Sequence, residues 1–398
     1  MTQRPATLLV TLTGPDRPGV TAALFEALAA TDVAVLDMEQ VVIRGTLVLG
    51  VLLSGPDVSA AETAAVLTAH KLGMTVATSL GEDEVDPRRL DRLNVTLLGH
   101  PLVPGAVAGM AARIAATGAN IDRIVRLASY PVTSIELEVS GADPHLLRVE
   151  LAAEAAALNA VGTAVDVAVQ RGGLARRSKR LVMMDVDSTL IQDEVIDLLA
   201  ARAGRAGEVA ALTARAMAGE LDFEQSLRDR VALLSGLPVS AVDQVRDQVR
   251  LAPGARTLVR ILARLGYRIG IVSGGFRQVT DHLADELGLD FSLANELEVE
   301  AGRLTGRVVG AVVDRHAKAS ALAEFAARFG VPLDQTVAIG DGANDLEMLA
   351  AAGLGVAFNA KPSVREAADT AVNVPYLDTI LYLLGISREE IEAADALT

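Results

Sequence analysis

The chain contains no cysteine among its 398 residues. Disulfide bridges and thiolate-bound metals are therefore excluded. Its five histidines show no zinc-binding spacing, which leaves oxygen ligands for any resident metal. No uninterrupted apolar run approaches the length that spans a bilayer, and the N-terminus lacks the basic start and hydrophobic stretch of a secretory signal. A cytoplasmic protein with no membrane partner is the resulting expectation. Positive charge is also scarce: 36 Lys and Arg against 51 Asp and Glu leave a formal charge of −15. That field repels polyanions and argues against nucleic acid as a partner. Hydrophobic residues make up 51% of the chain, and its length allows several domains with cores of their own.

The most informative stretch is Asp185-Val186-Asp187-Ser188-Thr189, which follows the apolar run Leu181 to Met184. Such a run reads as a buried parallel strand, and ligands of open α/β sheets collect beyond the carboxyl ends of strands. One carboxylate there can attack phosphorus to form an aspartyl-phosphate. The second donates a proton to the leaving oxygen and later takes one from water. Paired acids near a turn are more often solvated or cap a helix, so the pair needs support from elsewhere.

Three later segments supply it. Tyr267 to Val272 reads as a strand ending at Ser273-Gly274-Gly275, where a hydroxyl and unobstructed backbone N–H groups can hold phosphate oxygens. Lys318 can neutralise charge shared by the phosphate and the attacking carboxylate. Thr336 to Gly340 leads into Asp341-Gly342-Ala343-Asn344-Asp345, an acidic turn of hard oxygen ligands suited to Mg²⁺. A dianionic phosphate repels a carboxylate nucleophile, so a bridging divalent cation is close to a chemical necessity. The spacing of a calcium loop is absent.

With these four segments in order, the chain resembles the haloacid dehalogenase superfamily of phosphohydrolases. The resemblance implies Asp185 as nucleophile, Asp187 as acid and base, and Mg²⁺ held by Asp185, the backbone carbonyl of Asp187, and Asp341. It places Asp345 in the outer metal shell or beside Lys318, and Ser273, Gly274, Lys318 and Asn344 around the phosphoryl group. Between Asp185 and Ser273 lies a helix-rich interval broken at Gly236-Leu237-Pro238, long enough for a cap. Its segments Ala216 to Phe223 and Ser226 to Val231 resemble the cap of the phosphoserine phosphatase family. That resemblance implies O-phospho-L-serine as substrate, with Arg230 gripping the α-carboxylate, Glu194 pairing with the α-ammonium, and Met217 and Phe223 nearby.

The N-terminal part contains an internal repeat. Leu8 to Leu12, then Gly14 to Gly19, then Val20 to Ala30 correspond to Leu93 to Leu97, Gly99 to Gly105, and Ala106 to Ala116. Strand, Pro-Gly turn and helix recur, with further β-rich segments behind them in the ferredoxin-like order β-α-β-β-α-β. The halves are similar to tandem ACT domains, which implies amino-acid binding at the turn after the first strand. Gly19 and Gly105 are the candidate effector positions and L-serine the candidate effector. A pure dimerisation scaffold is the plainer reading of the repeat.

The expected architecture is thus an α/β chain: ACT domain 1 over 1–88, ACT domain 2 over 89–172, a flexible basic linker over 173–180 solvated by water, and a phosphatase domain over 181–398. The last is a Rossmann-like core with a helical cap at about 192–252. A homodimer through the N-terminal modules is expected. Two other functions fit the motifs less well: phosphoryl transfer to another alcohol such as homoserine, and a non-catalytic amino-acid sensor.

Overall fold

The computed structural model describes residues 6–82, 92–173, 176, 178–217 and 220–396. The expected boundary at 88/89 lies outside them, as do Arg177 of the basic run and Ala218 and Gly219 of the cap segment. The chain divides into two units, 1–87 and 88–398.

In the first unit, β1 (Ala6–Pro15), α1 (Val20–Leu28), β2 (Ala34–Ile43), β3 (Thr46–Ser54), α2 (Val58–Lys71) and β4 (Thr75–Glu82) follow one another. They form an antiparallel sheet in the order β2-β3-β1-β4. Alternation decides which face is buried. Leu8, Val10 and Leu12 of β1 and Leu47, Leu49, Val51 and Leu53 of β3 point at the helices and are at most 1% exposed. Val20, Leu24 and Leu28 of α1, and Ala61, Ala65 and Ala69 of α2, recur every fourth residue and meet them.

The second unit begins with the same pattern: β5 (Leu93–Gly99), α3 (Pro104–Ala116), β6 (Asn120–Ala128), β7 (Thr133–Ser140), α4 (Pro144–Ala160) and β8 (Val165–Arg171). Ala106, Met110 and Ile114 of α3 and Leu147, Leu151 and Ala155 of α4 repeat the four-residue spacing. Both repeats therefore fold as ferredoxin-like modules. They differ at the turn after the first strand. Gly19 caps α1 with a left-handed φ of 93°, whereas Gly105 lies inside the first turn of α3.

The remainder is a parallel core: β9 (Leu181–Met184), β10 (Arg268–Phe276), β11 (Phe291–Glu300), β13 (Thr336–Gly340), β14 (Gly355–Phe358) and β15 (Thr370–Val372), with β12 (Arg303–Val309) antiparallel at one edge. The order is β12-β11-β10-β9-β13-β14-β15, and β8 pairs with β15 at Ala168 and Thr370. One eleven-stranded sheet therefore runs from the second module into the core. Around the core strands lie α9 (Ala255–Arg264), α10 (Arg277–Leu287), α11 (Arg315–Arg328), α12 (Leu346–Ala351), α13 (Pro362–Ala367), α14 (Ile380–Leu383) and α15 (Arg388–Ala396). Between β9 and α9, the interval expected as a cap holds α5 (Val195–Ala203), α6 (Ala206–Met217), α7 (Phe223–Ala232) and α8 (Val239–Gln248).

The expectation of a flexible, solvated linker is corrected at Arg176 and Lys179, while Arg180 is exposed. Arg176 and Lys179 are only 8% and 5% exposed. Arg176 donates to the carbonyls of Leu383 at 3.0 Å and Tyr382 at 3.1 Å and pairs with Glu136, while Lys179 donates to the carbonyl of Asp334. The Leu383 and Tyr382 carbonyls close α14, where Leu383 O also accepts from Gln170 Nε2 at 2.8 Å and Tyr382 O from Gly385 N–H at 3.0 Å, and the Glu136 carboxylate supplies the opposite charge. Composition alone reads such a run as solvated; a buried carboxylate and carbonyls distant in sequence draw Arg176 inward.

Candidate active site

Strand β9 runs between β10 and β13, with Met184 level with Ile271 and Ile339. Three strands therefore end together. Asp185 leaves β9 with its N–H on Ile339 O at 2.8 Å, Ser273 lies in the last residues of β10, and Asp341 follows β13. The chain turns sharply through Val186 to Leu190, where Ser188 adopts a φ of 59°. A left-handed conformation at a serine is uncommon and costs local strain.

Lys318 enters from α11, whose N-terminus is capped by the Asp314 carboxylate accepting from Ala317 N–H at 2.8 Å. Its Nζ is 2.8 Å from Asp185 Oδ1 and 2.7 Å from Asp345 Oδ1. The other oxygen of Asp345 accepts from Gly342 N–H at 2.9 Å. Gly340 leaves room for this arrangement, because a Cβ there would lie 2.6 Å from the Asp345 Cβ. Asn344 sits on the intervening turn, half-buried.

Asp187 has two donors. Val195 N–H reaches Oδ1 at 2.7 Å, and Ser273 Oγ reaches Oδ2 at 3.0 Å. Gly275 is required by space: a Cβ would come within 2.8 Å of Asp187 Oδ2. A Cβ on Gly274 would meet the ring of Phe223 at 3.0 Å, which puts this aromatic residue of α7 over the turn. Met217 ends α6, and its side chain lies outside the described residues.

Glu194 stands at the start of α5 and accepts from Ser188 Oγ at 2.7 Å. Arg230 of α7 is half-buried, folds back to donate to Ser226 O at 3.2 Å, and lies in the field of Asp197, Glu194 and Asp187. Ser188 and Thr189 lie in the first acidic motif, and their residue types alone imply no role. The structure has Ser188 holding Glu194 and Thr189 Oγ1 donating to Asp341 Oδ1 at 3.1 Å. No spacing rule signals either contact.

Charge dominates the site. Burial, then the Asp345 charge, raises the Asp185 carboxyl well above the carboxylate range, against the pull of Lys318. Burial also raises Asp187, and burial followed by Asp345 pushes Asp341 up to about 6. Burial alone would lower Lys318, but Asp185 and Asp345 outweigh it and raise its pKa. Carboxyl oxygens of Asp185, Asp341 and Asp345 lie within 4.8 Å of one another. A single ammonium among these acids leaves an excess of negative charge on hard oxygen donors, and that fits a divalent cation. At Gly19 and Gly105, in their separate modules, an added Cβ would meet nothing within 4 Å beyond the adjoining backbone.

Residues 182–350 match the haloacid dehalogenase-like hydrolase family, and residues 6–79 and 93–170 each match an ACT domain. A phosphoserine phosphatase of Streptomyces coelicolor is 62% identical over 397 residues, spanning 98% of this chain and 95% of that one. A phosphoserine phosphatase of Mycobacterium tuberculosis is 53% identical over 393 residues, with 98% and 95% covered. The unliganded structure of a probable phosphoserine phosphatase from Vibrio cholerae is 33% identical and superimposes with a TM-score of 0.57, covering 79% of this chain and 91% of that one. The chain belongs to the phosphoserine phosphatases, haloacid dehalogenase-like hydrolases that here carry two N-terminal ACT domains.

Proposed function

We propose that the protein hydrolyses O-phospho-L-serine to L-serine and phosphate through an aspartyl-phosphate at Asp185. The observation that carries the residue assignment is Lys318 bridging Asp185 and Asp345, with Asp187 held by Ser273 alongside. A carboxylate oxygen of Asp185 attacks phosphorus while the bond from phosphorus to the serine oxygen breaks. Asp187 gives its proton to that oxygen, a role suited to a carboxyl whose pKa burial has raised. Asp187 then accepts a proton from water as the water oxygen attacks phosphorus, releasing Asp185 and inorganic phosphate.

Ser273, Gly274, Lys318 and Asn344 surround the phosphoryl oxygens in this reading. Such a transfer asks for positioning and charge stabilisation above all. Asp185, Asp341 and the carbonyl of Asp187 would hold Mg²⁺, which would neutralise the remaining charge between phosphate and nucleophile. Arg230 takes the α-carboxylate and Glu194 the α-ammonium, which restricts the site to a free amino acid.

L-Serine as an effector at the module turns, near Gly19 and Gly105, is part of the same reading. So is a homodimer through the N-terminal modules. The apolar edge strand β2 supports the latter, because Val35, Leu36, Met38, Val41, Val42 and Ile43 are 44–62% exposed. A cytoplasmic setting agrees with a substrate that is a phosphorylated metabolite. Phosphate release from O-phospho-L-serine with and without Mg²⁺ tests the reading. Selective Mg²⁺-dependent release that disappears in Asp185→Asn is expected, and equal release by the variant would remove the nucleophile assignment.

A further inference from the structure

Asn295 of β11 belongs to none of the sequence motifs, yet it is 1% exposed and both ends of its amide are engaged. Its Nδ2 donates to Gly274 O at 2.8 Å, and its Oδ1 accepts from Val313 N–H at 2.7 Å. The ladder between β10 and β11 explains why a side chain is needed there. Ser273 pairs with Ala294 and Phe276 with Asn295, so Gly274 and Gly275 bulge out of register. A bulge breaks ladder hydrogen bonds and re-aims the strand. The Asn295 side chain supplies a donor for the carbonyl that the bulge leaves without a ladder partner.

The consequence reaches the catalytic acid. Gly274 O and Gly275 N–H belong to one planar peptide, so fixing the carbonyl fixes the direction of the N–H. That N–H donates to Ser273 Oγ at 2.7 Å, and Ser273 Oγ donates to Asp187 Oδ2 at 3.0 Å. A hydroxyl that receives an N–H has one proton of its own to direct elsewhere. At the other end of the amide, Val313 precedes Asp314, whose carbonyl accepts from Lys318 N–H at 2.9 Å.

We propose that Asn295 is a positioning residue for phosphoryl transfer. It clamps the Gly274–Gly275 peptide so that Ser273 presents its proton to Asp187, and it ties that bulge to the start of the helix carrying Lys318. The inference rests on the roles proposed above for Ser273, Asp187 and Lys318. An amide side chain is required because the position demands a donor at one end and an acceptor at the other. Aspartate keeps the size and the acceptor but sets a carboxylate against Gly274 O.

The test compares Asn295→Asp and Asn295→Ala with wild type in the full chain, reading kcat, KM for O-phospho-L-serine, the competitive inhibition constant of inorganic phosphate, and Tm. Ser273→Ala serves as the control. Loss of an outer-shell orienting group is expected to lower kcat about 10- to 100-fold. The phosphate inhibition constant should rise roughly tenfold, because the displaced peptide belongs to the phosphate-binding bulge. KM should change less than kcat, because the amino-acid end is gripped elsewhere. If Asn295→Asp does not fold, Asn295→Ala carries the same expectation without a buried charge. A purely structural side chain would reduce the active fraction and leave the inhibition constant of the surviving enzyme unchanged, and that result overturns the proposal. If Ser273→Ala loses activity while both Asn295 variants keep it, the proposal falls and the site reading stands. If all three keep it, the site reading falls as well.

Discussion

Lys318 Nζ lies 2.8 Å from Asp185 Oδ1, and the two side chains are 1% and 6% exposed. The same ammonium reaches Asp345 at 2.7 Å. A buried cation shared by two carboxylates does more than bind substrate, because neither acid has water to fall back on.

Replacing it by an apolar residue of similar length, Lys318→Met, is expected to destabilise the fold by about 3–5 kcal/mol, the usual cost of removing one partner from a buried pair. Activity is lost with it. The sign with pH follows from the raised pKa of Lys318: its stabilisation is complete below the unfolded-state value and is lost as pH rises through the higher folded-state value. The wild-type advantage should therefore be fully present at neutral pH. Urea titrations of the two proteins at pH 7 measure it, and equal midpoints would contradict the pair's importance.

Glu194 gives a pH prediction for substrate binding. Burial, then the charge of Asp187, pushes its carboxyl up to about 7. Only the ionised form attracts the α-ammonium, so kcat/KM for O-phospho-L-serine should fall as pH drops through that value, approaching tenfold per unit on the acid side. Glu194→Gln should remove this limb and leave the limb from the substrate's own phosphate, near pH 6. An unchanged profile in the variant would separate Glu194 from the ammonium.

Arg176 joins the second ACT module to the phosphatase core. It pairs with Glu136 on β7 and donates to two carbonyls of α14. Arg176→Met should cost about 3–5 kcal/mol, since it strands a buried carboxylate. The double variant with Glu136→Gln should recover part of that loss. Denaturation midpoints of wild type, single and double variants form the cycle, and additive effects would show that the two residues act independently.

Much of this was legible in sequence where the physics is local. Leu181 to Met184 is an apolar run because β9 is buried by both neighbours, and the acid following such a strand falls at the sheet's ligand-binding edge. The repeat was legible because each module needs the same alternation and four-residue helical spacing. Arg176 was not, since its carbonyl partner on Leu383 is 207 residues away and composition cannot report it. Asn295 was hidden for a similar reason: within an alternating strand it reads as an ordinary polar residue until the bulge opposite is seen. The left-handed turn at Ser188 carries no residue-type signal, because glycine or asparagine would ordinarily mark it.

The whole mechanism turns on phosphorylation of Asp185 during turnover. The most direct measurement is to mix enzyme, Mg²⁺ and O-phospho-L-serine, quench in acid within one turnover, and map the modified peptide by mass. Phosphate on residue 185, absent from Asp185→Asn, is the expected result. No covalent phosphate at any quench time, together with inversion of configuration at an isotopically chiral phosphate, would contradict the account, since a single displacement by water inverts phosphorus whereas two displacements retain it.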